Sequence, residues 1–396
     1  MLSFGMPSSA SVPKGATTGA LTVVANGQTS AGSSFTVGKT AVVPTVTAYS
    51  PTGMRPGAPV TITLTGTNLA GMTAVKIGAV SLTATVVDAK TLTVTIPATG
   101  VATGPIKVTT DGGTSTNTLV FNVLSAPTQL TAGTSHSCAL LADGTVKCWG
   151  LNTNGRLGDG TTTQRTSPVL VSGLTGATNV SAGATFTCVV ASGAVKCWGL
   201  NMNGQLGNNS TAASSLPVAV SGITAGATQL ATGSNFACAL VAGAVKCWGA
   251  NAAGQLGDGT TTQRLTPVAV PSLASGVTAI AAGGTTACAL LNTGALKCWG
   301  GNTNGQLGNG LTATGATSTP AQVSGIDGSA AKAIAVSVGT SHACALINDG
   351  TVRCWGLNTS GQLGDNSLVQ KTTPVTVKTS ASVNLAGATT LAAGAN

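Results

Sequence analysis

The sequence predicts an all-β protein in which a small β-sandwich is followed by an incomplete β-propeller. Two observations support this prediction. Over residues 43–124, apolar residues alternate with threonine in short runs, which is the pattern of half-buried strands. From about Thr128, a unit with two cysteines and a Trp-Gly pair returns five times at intervals near 50 residues, which is typical of propeller blades. We expect essentially no helix.

The composition argues against several classes of protein. Hydrophobic residues make up 42% of the chain, so disorder is not expected, although only 6% of residues are charged, against roughly 25% in ordinary domains. Glutamate is absent, and the net charge of +9 comes from basic residues that stand singly. We therefore predict no nucleic-acid binding. The sequence has no apolar run long enough to span a membrane, so we predict no transmembrane helix. The N-terminus has no signal-peptide pattern.

Apolar residues alternate with threonine in "VTITL" (60–64) and in "TLTVTIP" (91–97). With "YSPTGMRPGAP" before the first run and "ATGVATGPIKVTTDGG" after the second, the segment resembles the IPT/TIG immunoglobulin-like domain. The resemblance implies an Ig-like β-sandwich over 43–124. Residues 1–40 repeat its second half, with Asn26-Gly27 at the hairpin position of Asp111-Gly112. We therefore expect a truncated second copy there, in a chain that is a piece of a longer protein.

The five Trp-Gly pairs define the repeats of a domain that we expect to span 128–396. The tryptophans are Trp149, Trp198, Trp248, Trp299 and Trp355. The predicted repeats are 128–177, 178–227, 228–277, 278–330 and 331–387, followed by a partial repeat at 388–396. Four strands fit each repeat, as "TQLTAG", "SCALL", "TVKCWG" and "SPVLV" fit the first.

The first repeat reads "GTSHSCALLADGTVKCWGLNTNGRLG", and four cognates follow it. It is similar to the repeat of the regulator of chromosome condensation (RCC) family, and to the bacterial extracellular type found in type II β-lactamase-inhibitory protein. The resemblance implies a ring of seven blades. Five repeats and the start of a sixth therefore predict an incomplete propeller, which could close, stay open or pair with another chain. The oligomeric state is left open.

The loop between the paired cysteines explains why their spacing varies by one residue. Two repeats have two-residue loops, Ser192-Gly193 and Ala242-Gly243, and three have three-residue loops that end in glycine. Counting outward from either loop places the two cysteines of a repeat directly opposite one another, within reach of a disulfide. We predict five disulfides and no free thiol: Cys138–Cys148, Cys188–Cys197, Cys238–Cys247, Cys288–Cys298 and Cys344–Cys354.

Two other interpretations of the cysteines are weaker. Reduced cysteines can act as small buried hydrophobes, but ten of them in opposed pairs favour disulfides. A zinc site would use closer spacings and more than the two histidines present, so we predict no metal. Because disulfides persist in oxidising compartments, we expect an extracellular or cell-surface protein whose signal peptide is not in this chain.

No catalytic constellation is evident in the sequence. His136 and His342 share one repeat position, where the other repeats have Phe186, Phe236 and Thr286, so we interpret both histidines as structural. There is no evident Ser-His-Asp set, carboxylate pair or phosphate-binding loop. We predict neither an enzyme nor a cofactor.

A basic residue precedes the second cysteine in every repeat. On a strand it shares a face with the tryptophan two positions later, so the simpler interpretation is a stem packed over an indole with its charge in water. The alternative is an arc of cations that binds an acidic partner or polymer. The residues are Lys147, Lys196, Lys246, Lys297 and Arg353.

The glycine-rich loops each begin with an asparagine, which we expect to set turn geometry. These residues are Asn152, Asn201, Asn251, Asn302 and Asn358. The longer variable loops at 308–319 and 365–374 are better candidates for contact with a partner.

The predicted function is that of a non-enzymatic, extracellular binding or adhesion protein. Its propeller loops would contact an unidentified protein or glycan, and the sandwich would act as a stalk. One alternative is guanine-nucleotide exchange on a small GTPase, which the family resemblance implies but the paired cysteines oppose. A second is a secreted enzyme inhibitor of the β-lactamase-inhibitory type. The propeller has only Phe186 and Phe236 beside its tryptophans, which is poor for an aromatic binding surface.

Overall fold

The computed structural model describes residues 42–54, 57–311 and 317–394, together with four short strands between residues 19 and 35. Within these residues the only helical element is the 3-10 turn Pro271–Leu273, which confirms the all-β class. No helix in the described residues is long and apolar enough to cross a membrane. The chain divides into two compact units, Met1–Ser125 and Ala126–Asn396.

The first four strands form two small antiparallel pairs. They are β1 (Gly19–Leu21), β2 (Val24–Ala25), β3 (Gln28–Thr29) and β4 (Ser33–Phe35). Strand β1 pairs with β4 and β2 with β3. The predicted Asn26-Gly27 turn lies outside the described residues, as does most of the segment that we expected to be half of a domain.

Eight strands form the β-sandwich of the first unit. They are β5 (Thr45–Ser50), β6 (Val60–Thr67), β7 (Met72–Ile77), β8 (Val80–Asp88), β9 (Thr91–Ile96), β10 (Gly104–Thr110), β11 (Gly113–Thr114) and β12 (Val120–Phe121). They pair in the order β11-β10-β7-β8-β9-β6-β5, with β12 also on β10. Strand β8 joins the two halves of this order, because Leu82 pairs with Val75 of β7 and the next residue, Thr83, pairs with Thr95 of β9. Buried residues of these strands form one hydrophobic core.

The alternation seen in the sequence sets which side chains enter this core. Ile62 of β6 and Val94 of β9 are fully buried, and the threonines beside them are exposed or partly exposed. Thr110 lies opposite Gly113, so Asp111-Gly112 forms the two-residue hairpin loop that we predicted. The predicted β-sandwich is therefore confirmed.

Five four-stranded antiparallel sheets, the blades, form the second unit. Blade 1 has β13 (Pro127–Ala132), β14 (His136–Leu141), β15 (Val146–Gly150) and β16 (Arg165–Leu170); blade 2 has β17 (Ala177–Ala182), β18 (Phe186–Ala191), β19 (Ala194–Gly199) and β20 (Ser214–Ala219); blade 3 has β21 (Ala227–Thr232), β22 (Phe236–Val241), β23 (Ala244–Gly249) and β24 (Arg264–Ala269); blade 4 has β25 (Val277–Gly283), β26 (Thr286–Leu291), β27 (Ala295–Gly300) and β28 (Thr317–Asp327); blade 5 has β29 (Ala333–Val338), β30 (His342–Ile347), β31 (Val352–Gly356) and β32 (Lys371–Thr376). In every blade the strands pair in sequence order, as in a propeller.

The second and third strands of each blade carry its two cysteines. In blade 2, Cys188 lies opposite Cys197 across the two-residue loop Ser192-Gly193. In blade 1 the longer loop takes up the extra residue, and Cys138 still lies opposite Cys148. The structure joins the ten cysteines in five disulfides, with the Cα atoms of each pair 4.1 Å apart. This close approach is typical of the sites in an antiparallel ladder that are not hydrogen-bonded.

The hydrophobic cores of the second unit lie between consecutive blades. The disulfide of blade 1 shares a core with Trp198 of blade 2. Three further tryptophans pack in the same way on the disulfide face of the preceding blade: Trp248, Trp299 and Trp355. All four indoles are fully buried. Blades 1 to 4 therefore present their disulfides to the following blade, and blades 2 to 5 present their tryptophans to the preceding one.

Each buried indole fits a slot made by the glycine-rich loop of the preceding blade. Trp299 Nε1 donates a hydrogen bond of 3.0 Å to the backbone oxygen of Gln255. A Cβ atom on Gly257 would lie 2.8 Å from this nitrogen, and the φ angle of Gly257 is +67°. The slot thus requires glycine for its space and for its backbone. The other indoles donate equivalent bonds to the backbone oxygens of Arg156, Gln205 and Gln306.

A short segment covers part of the disulfide face of blade 5. We call residues 388–394 the edge segment. Its Ala388 N–H donates to the backbone oxygen of Gly350, as Ala177 of blade 2 donates to Gly144 of blade 1. Leu391 packs beside the blade-5 disulfide. The edge segment therefore makes one of the backbone contacts that a first strand makes with the preceding blade, and the start of a sixth repeat stays a prediction.

Replacement of Gly257 tests the slot. Gly257→Ala should lower the free energy of unfolding by about 3 kcal/mol, because the new methyl group meets the indole and the backbone is strained. Gly259→Ala is the matched control, since its φ is +83° but nothing lies within 4 Å of the added Cβ. It should cost only about 1 kcal/mol. Denaturant unfolding measures both, and equal losses would contradict the slot.

The disulfides should open in the order of their exposure to reductant. Cys344 and Cys354 are 7% and 3% exposed, and each of the other eight cysteines is at most 1% exposed. Native protein treated with reductant and then with an alkylating reagent should be modified first at Cys344 and Cys354, as peptide mass mapping will show. Intact mass should show no adduct without reductant and ten after reduction in denaturant. Ten adducts without reductant would contradict the disulfides.

Candidate functional site

A buried asparagine organises the loop that follows the third strand of each blade. Asn152 is fully buried. Its Oδ1 accepts a bond from the Leu157 N–H, and its Nδ2 donates to the backbone oxygens of Thr161 and Thr163, at 3.0 to 3.1 Å. The equivalent residues make the bond to the backbone N–H five residues later: Asn201, Asn251, Asn302 and Asn358. The asparagine side chains therefore hold their own loops closed.

In three of these loops an aspartate adds an ion pair. Asp159 accepts a bond from Asn152 Nδ2 and pairs with Arg165 at 2.7 Å. Burial raises the pKa of Asp159, but bonds from Thr161 and Arg165 outweigh it and hold the pKa below the ordinary value. The equivalent pairs are Asp258–Arg264 and Asp365–Lys371. These carboxylates hold the loops together, and the described residues contain no group of three metal-ligating side chains.

The hydrogen bonds around His136 fix its tautomer. Thr187 Oγ1 donates to the backbone oxygen of Arg156, so it accepts from His136, whose Nε2 lies 2.9 Å away. His136 is therefore protonated on Nε2, and its Nδ1 is buried without a partner. Burial and the nearby Arg156 charge lower the pKa of His136 to about 4. His136 is the first residue of strand β14, and its ring joins blade 1 to Thr187 of blade 2. This is the structural role that we expected.

Arg156 occupies the position at which the other four loops have glutamine. Its guanidinium is almost fully buried, and Nη2 donates to Thr153 Oγ1 at 3.2 Å. Burial lowers the pKa of Arg156. None of the ion pairs among the described residues includes it.

The five predicted cations occupy one position, repeated on the third strand of each blade. Lys196, for example, lies between Val189 and Ala219 in the ladder of blade 2. Lys147 is exposed, and the other four are partly exposed. None of the three ion pairs in the described part of the chain includes a cation of this row, although the nearby Arg353 charge contributes to lowering the pKa of Asp349. We call the row the cation arc: Lys147, Lys196, Lys246, Lys297 and Arg353.

The two variable loops differ in how much can be described. Residues 312–316 of the loop 308–319 lie outside the described residues. The loop 365–374 is described, and Leu368 within it is 66% exposed. Leu368 lines a cavity of about 450 Å³ on blade 5, together with Gly361 and Gly364. That the loop 365–374 contacts a partner remains a prediction.

Acid should destabilise the protein through His136. The fold favours the neutral ring, with a pKa of about 4, whereas the unfolded chain binds a proton near pH 6.5. The free energy of unfolding should therefore fall as the pH drops from about 6.5 to about 4, by at most about 1.4 kcal/mol per pH unit. His136→Phe introduces the residue that blades 2 and 3 carry there, and it should remove this part of the slope.

Calorimetry across this pH range checks the prediction. The melting temperature of His136→Phe minus that of the parent should increase as the pH falls. His342 remains in both proteins, so its own contribution cancels in the difference. A constant difference from neutral to acid pH would show that His136 does not resist protonation in the fold.

Comparison with known proteins identifies both units. Residues 117–396 match the RCC1-like domain, and residues 44–123 match the IPT/TIG domain. Yeast RCC1 (Prp20), solved bound to Kap60, is similar at a TM-score of 0.58 and 21% identity, covering 67% of this chain and 65% of the yeast chain. Human WBSCR16 is similar at a TM-score of 0.57 and 19% identity, covering 88% of this chain and 84% of the human one.

Prp20p from Saccharomyces cerevisiae, in a separate structure, has a TM-score of 0.54 and 22% identity over 65% of this chain and 64% of its own. This chain thus spans slightly less than two thirds of the yeast protein. At these identities the likeness shows the fold alone. The domain matches confirm the resemblances to RCC repeats and to IPT/TIG domains that the sequence motifs carry. The chain belongs to the RCC1-like domain family and carries an IPT/TIG domain ahead of its propeller repeats.

Proposed function

We propose that this protein is a non-enzymatic, extracellular or cell-surface binding protein whose propeller unit contacts an acidic protein or glycan. The cation arc is the observation on which the proposal rests. Five cations recur at one position of five consecutive blades, and none of them takes part in the three ion pairs found among the described residues. Repeated charges on a rigid scaffold suit a partner whose own negative charges repeat, such as an acidic polysaccharide.

The disulfides support the extracellular part of the proposal. Structural disulfides persist in secreted and surface proteins and are rare in the reducing cytosol. All ten cysteines of the chain lie in such bonds. Intracellular exchange on a GTPase would require a compartment in which these bonds are reduced, so we do not favour that function.

The repeat loops support binding over catalysis. Asn152 forms hydrogen bonds, and Asp159 an ion pair, within their own loop. His136 is buried between blades with its tautomer fixed by Thr187. These groups act as loop supports, and a rigid scaffold with fixed loops is the usual basis of a recognition surface.

Proteins of similar fold also bind macromolecular partners. The yeast relative has been solved bound to Kap60, and Prp20p binds Gsp1p and histones. A macromolecular partner for this chain agrees with those examples, although the partner itself follows from the cation arc and not from the relatives. We further propose that the IPT/TIG domain is a spacer that holds the propeller unit away from its point of attachment.

Binding to immobilised acidic and neutral polysaccharides tests the cation arc. Heparin and polygalacturonate should retain the protein, dextran should not, and affinity should fall as salt screens the charges. The triple variant Lys196→Gln, Lys246→Gln, Lys297→Gln should lose at least about tenfold in affinity, as expected for three contacts of about 0.5 kcal/mol or more each.

The matched control removes the same charge elsewhere. Lys76, Lys90 and Lys332 are exposed and lie outside the cation arc, so their triple glutamine variant should bind almost as the parent does. Equal losses in the two triple variants would mean that only net charge matters, and the proposed surface would be wrong. Retention that does not respond to salt would also contradict it.

A further inference from the structure

One glycine-rich loop, that of blade 1, carries an arginine where the other four loops carry a glutamine. In blades 2 to 5 the glutamine Oε1 accepts a hydrogen bond of 2.7 to 2.9 Å from the backbone N–H two residues before it. These glutamines are Gln205, Gln255, Gln306 and Gln362. The loop therefore uses an acceptor at this point, and the same sequence position supplies it four times.

Arg156 cannot supply that acceptor, because a guanidinium has only donors. The equivalent backbone donor is the Asn154 N–H, and none of the residues that the structure describes accepts from it. Arg156 Nε is also buried without a partner. The bond from Arg156 Nη2 to Thr153 Oγ1, at 3.2 Å, holds the guanidinium beside the residue before Asn154. Blade 1 thus places donors where the other blades place a donor and an acceptor.

The charge of Arg156 has no counter-ion in the chain. Its side chain is only 5% exposed, and a buried charge is costly unless an opposite charge or several hydrogen bonds offset it. The carboxylate nearest in sequence, Asp159, pairs with Arg165, and the other two ion pairs of the described residues use other cations. Burial and the Arg156 charge together lower the pKa of His136 to about 4, so the uncompensated charge acts on a neighbouring side chain.

We propose that the blade-1 loop binds a small anion, a halide or a carboxylate of the size of formate, which takes the place of the glutamine oxygen. The anion accepts from the Asn154 N–H and from Arg156 Nε, and its charge offsets that of the guanidinium. Thr153 is exposed and Asn154 is partly exposed, so the anion reaches the loop from solvent. Because Arg156 is almost fully buried, the loop selects a small anion over a large one.

Arg156→Gln tests the proposal, because it introduces the residue that the other four loops carry. In sodium gluconate, whose anion is too large for the loop, the variant should melt at or above the temperature of the parent. It removes a buried charge and restores an acceptor for the Asn154 N–H.

Replacing gluconate by chloride or formate, at a fixed sodium concentration and neutral pH, should stabilise the parent. Its melting temperature should rise by about 2–4 °C at about five times the dissociation constant and then rise only slowly. Arg156→Gln should lack this saturable rise. Calorimetry measures both proteins.

Lys332→Gln is the matched control, since it removes one positive charge from an exposed position of the same unit. It should keep the full response to chloride and formate. Tryptophan fluorescence checks the fold of each variant, because the fully buried Trp198 donates from Nε1 to the backbone oxygen of Arg156 at 2.9 Å.

The NMR line width of chloride distinguishes a bound ion from a general effect of salt. The parent should broaden the chloride line, added formate should narrow it again by competition, and Arg156→Gln should lose most of the broadening. The proposal is overturned if the parent and Arg156→Gln respond equally to chloride in both experiments. It is also overturned if Arg156→Gln is less stable than the parent in gluconate, since the guanidinium would then stabilise the fold without an anion.

Discussion

The structure of the second unit depends on one contact, the indole of each blade seated in the glycine-rich loop of the blade before it. The chain is poor in large side chains, with only 3% aromatic residues, so a few anchors must supply much of the buried area. Each buried tryptophan removes about 150–250 Å² from water. Its Nε1 also donates a hydrogen bond to a backbone carbonyl of that loop, so the buried indole nitrogen has a partner. The period near 50 residues follows, because each repeat must supply both an indole and a slot.

The disulfides act on the same contact from the other side. Each one ties together the two central strands of a blade, on the face that the next indole covers. Cross-links of nine or ten residues stabilise a chain by at most about 3 kcal/mol each in the loop-entropy account. Their position matters as much as their number. They constrain the surface on which the neighbouring blade packs.

How far the sequence predicts this structure depends on the range of each interaction. The alternation at Ile62 and the loop before Cys197 depend on residues within about ten positions, so both could be predicted. The slot at Gly257, the His136–Thr187 bond and the bonds between Gln129 and Val180 join residues of different blades, about one repeat apart. They form only once blades stack, and no local pattern reveals them. The recurring Gly-Gln-Leu-Gly followed by a tryptophan one repeat later is the signal that could have identified the slot.

The nine- or ten-residue spacing of the cysteines also determines how the protein can mature. In an emerging chain, the two thiols of one hairpin meet far more often than thiols from different repeats, because short loops close fastest and at the smallest entropic cost. Each bond can therefore form as soon as its own hairpin has emerged, before the next repeat is available. A protein with ten cysteines would ordinarily depend on an isomerase to correct mispairing. Here the arrangement of turns makes the native pairing the kinetically favoured one, and oxidation can keep pace with the emergence of the chain.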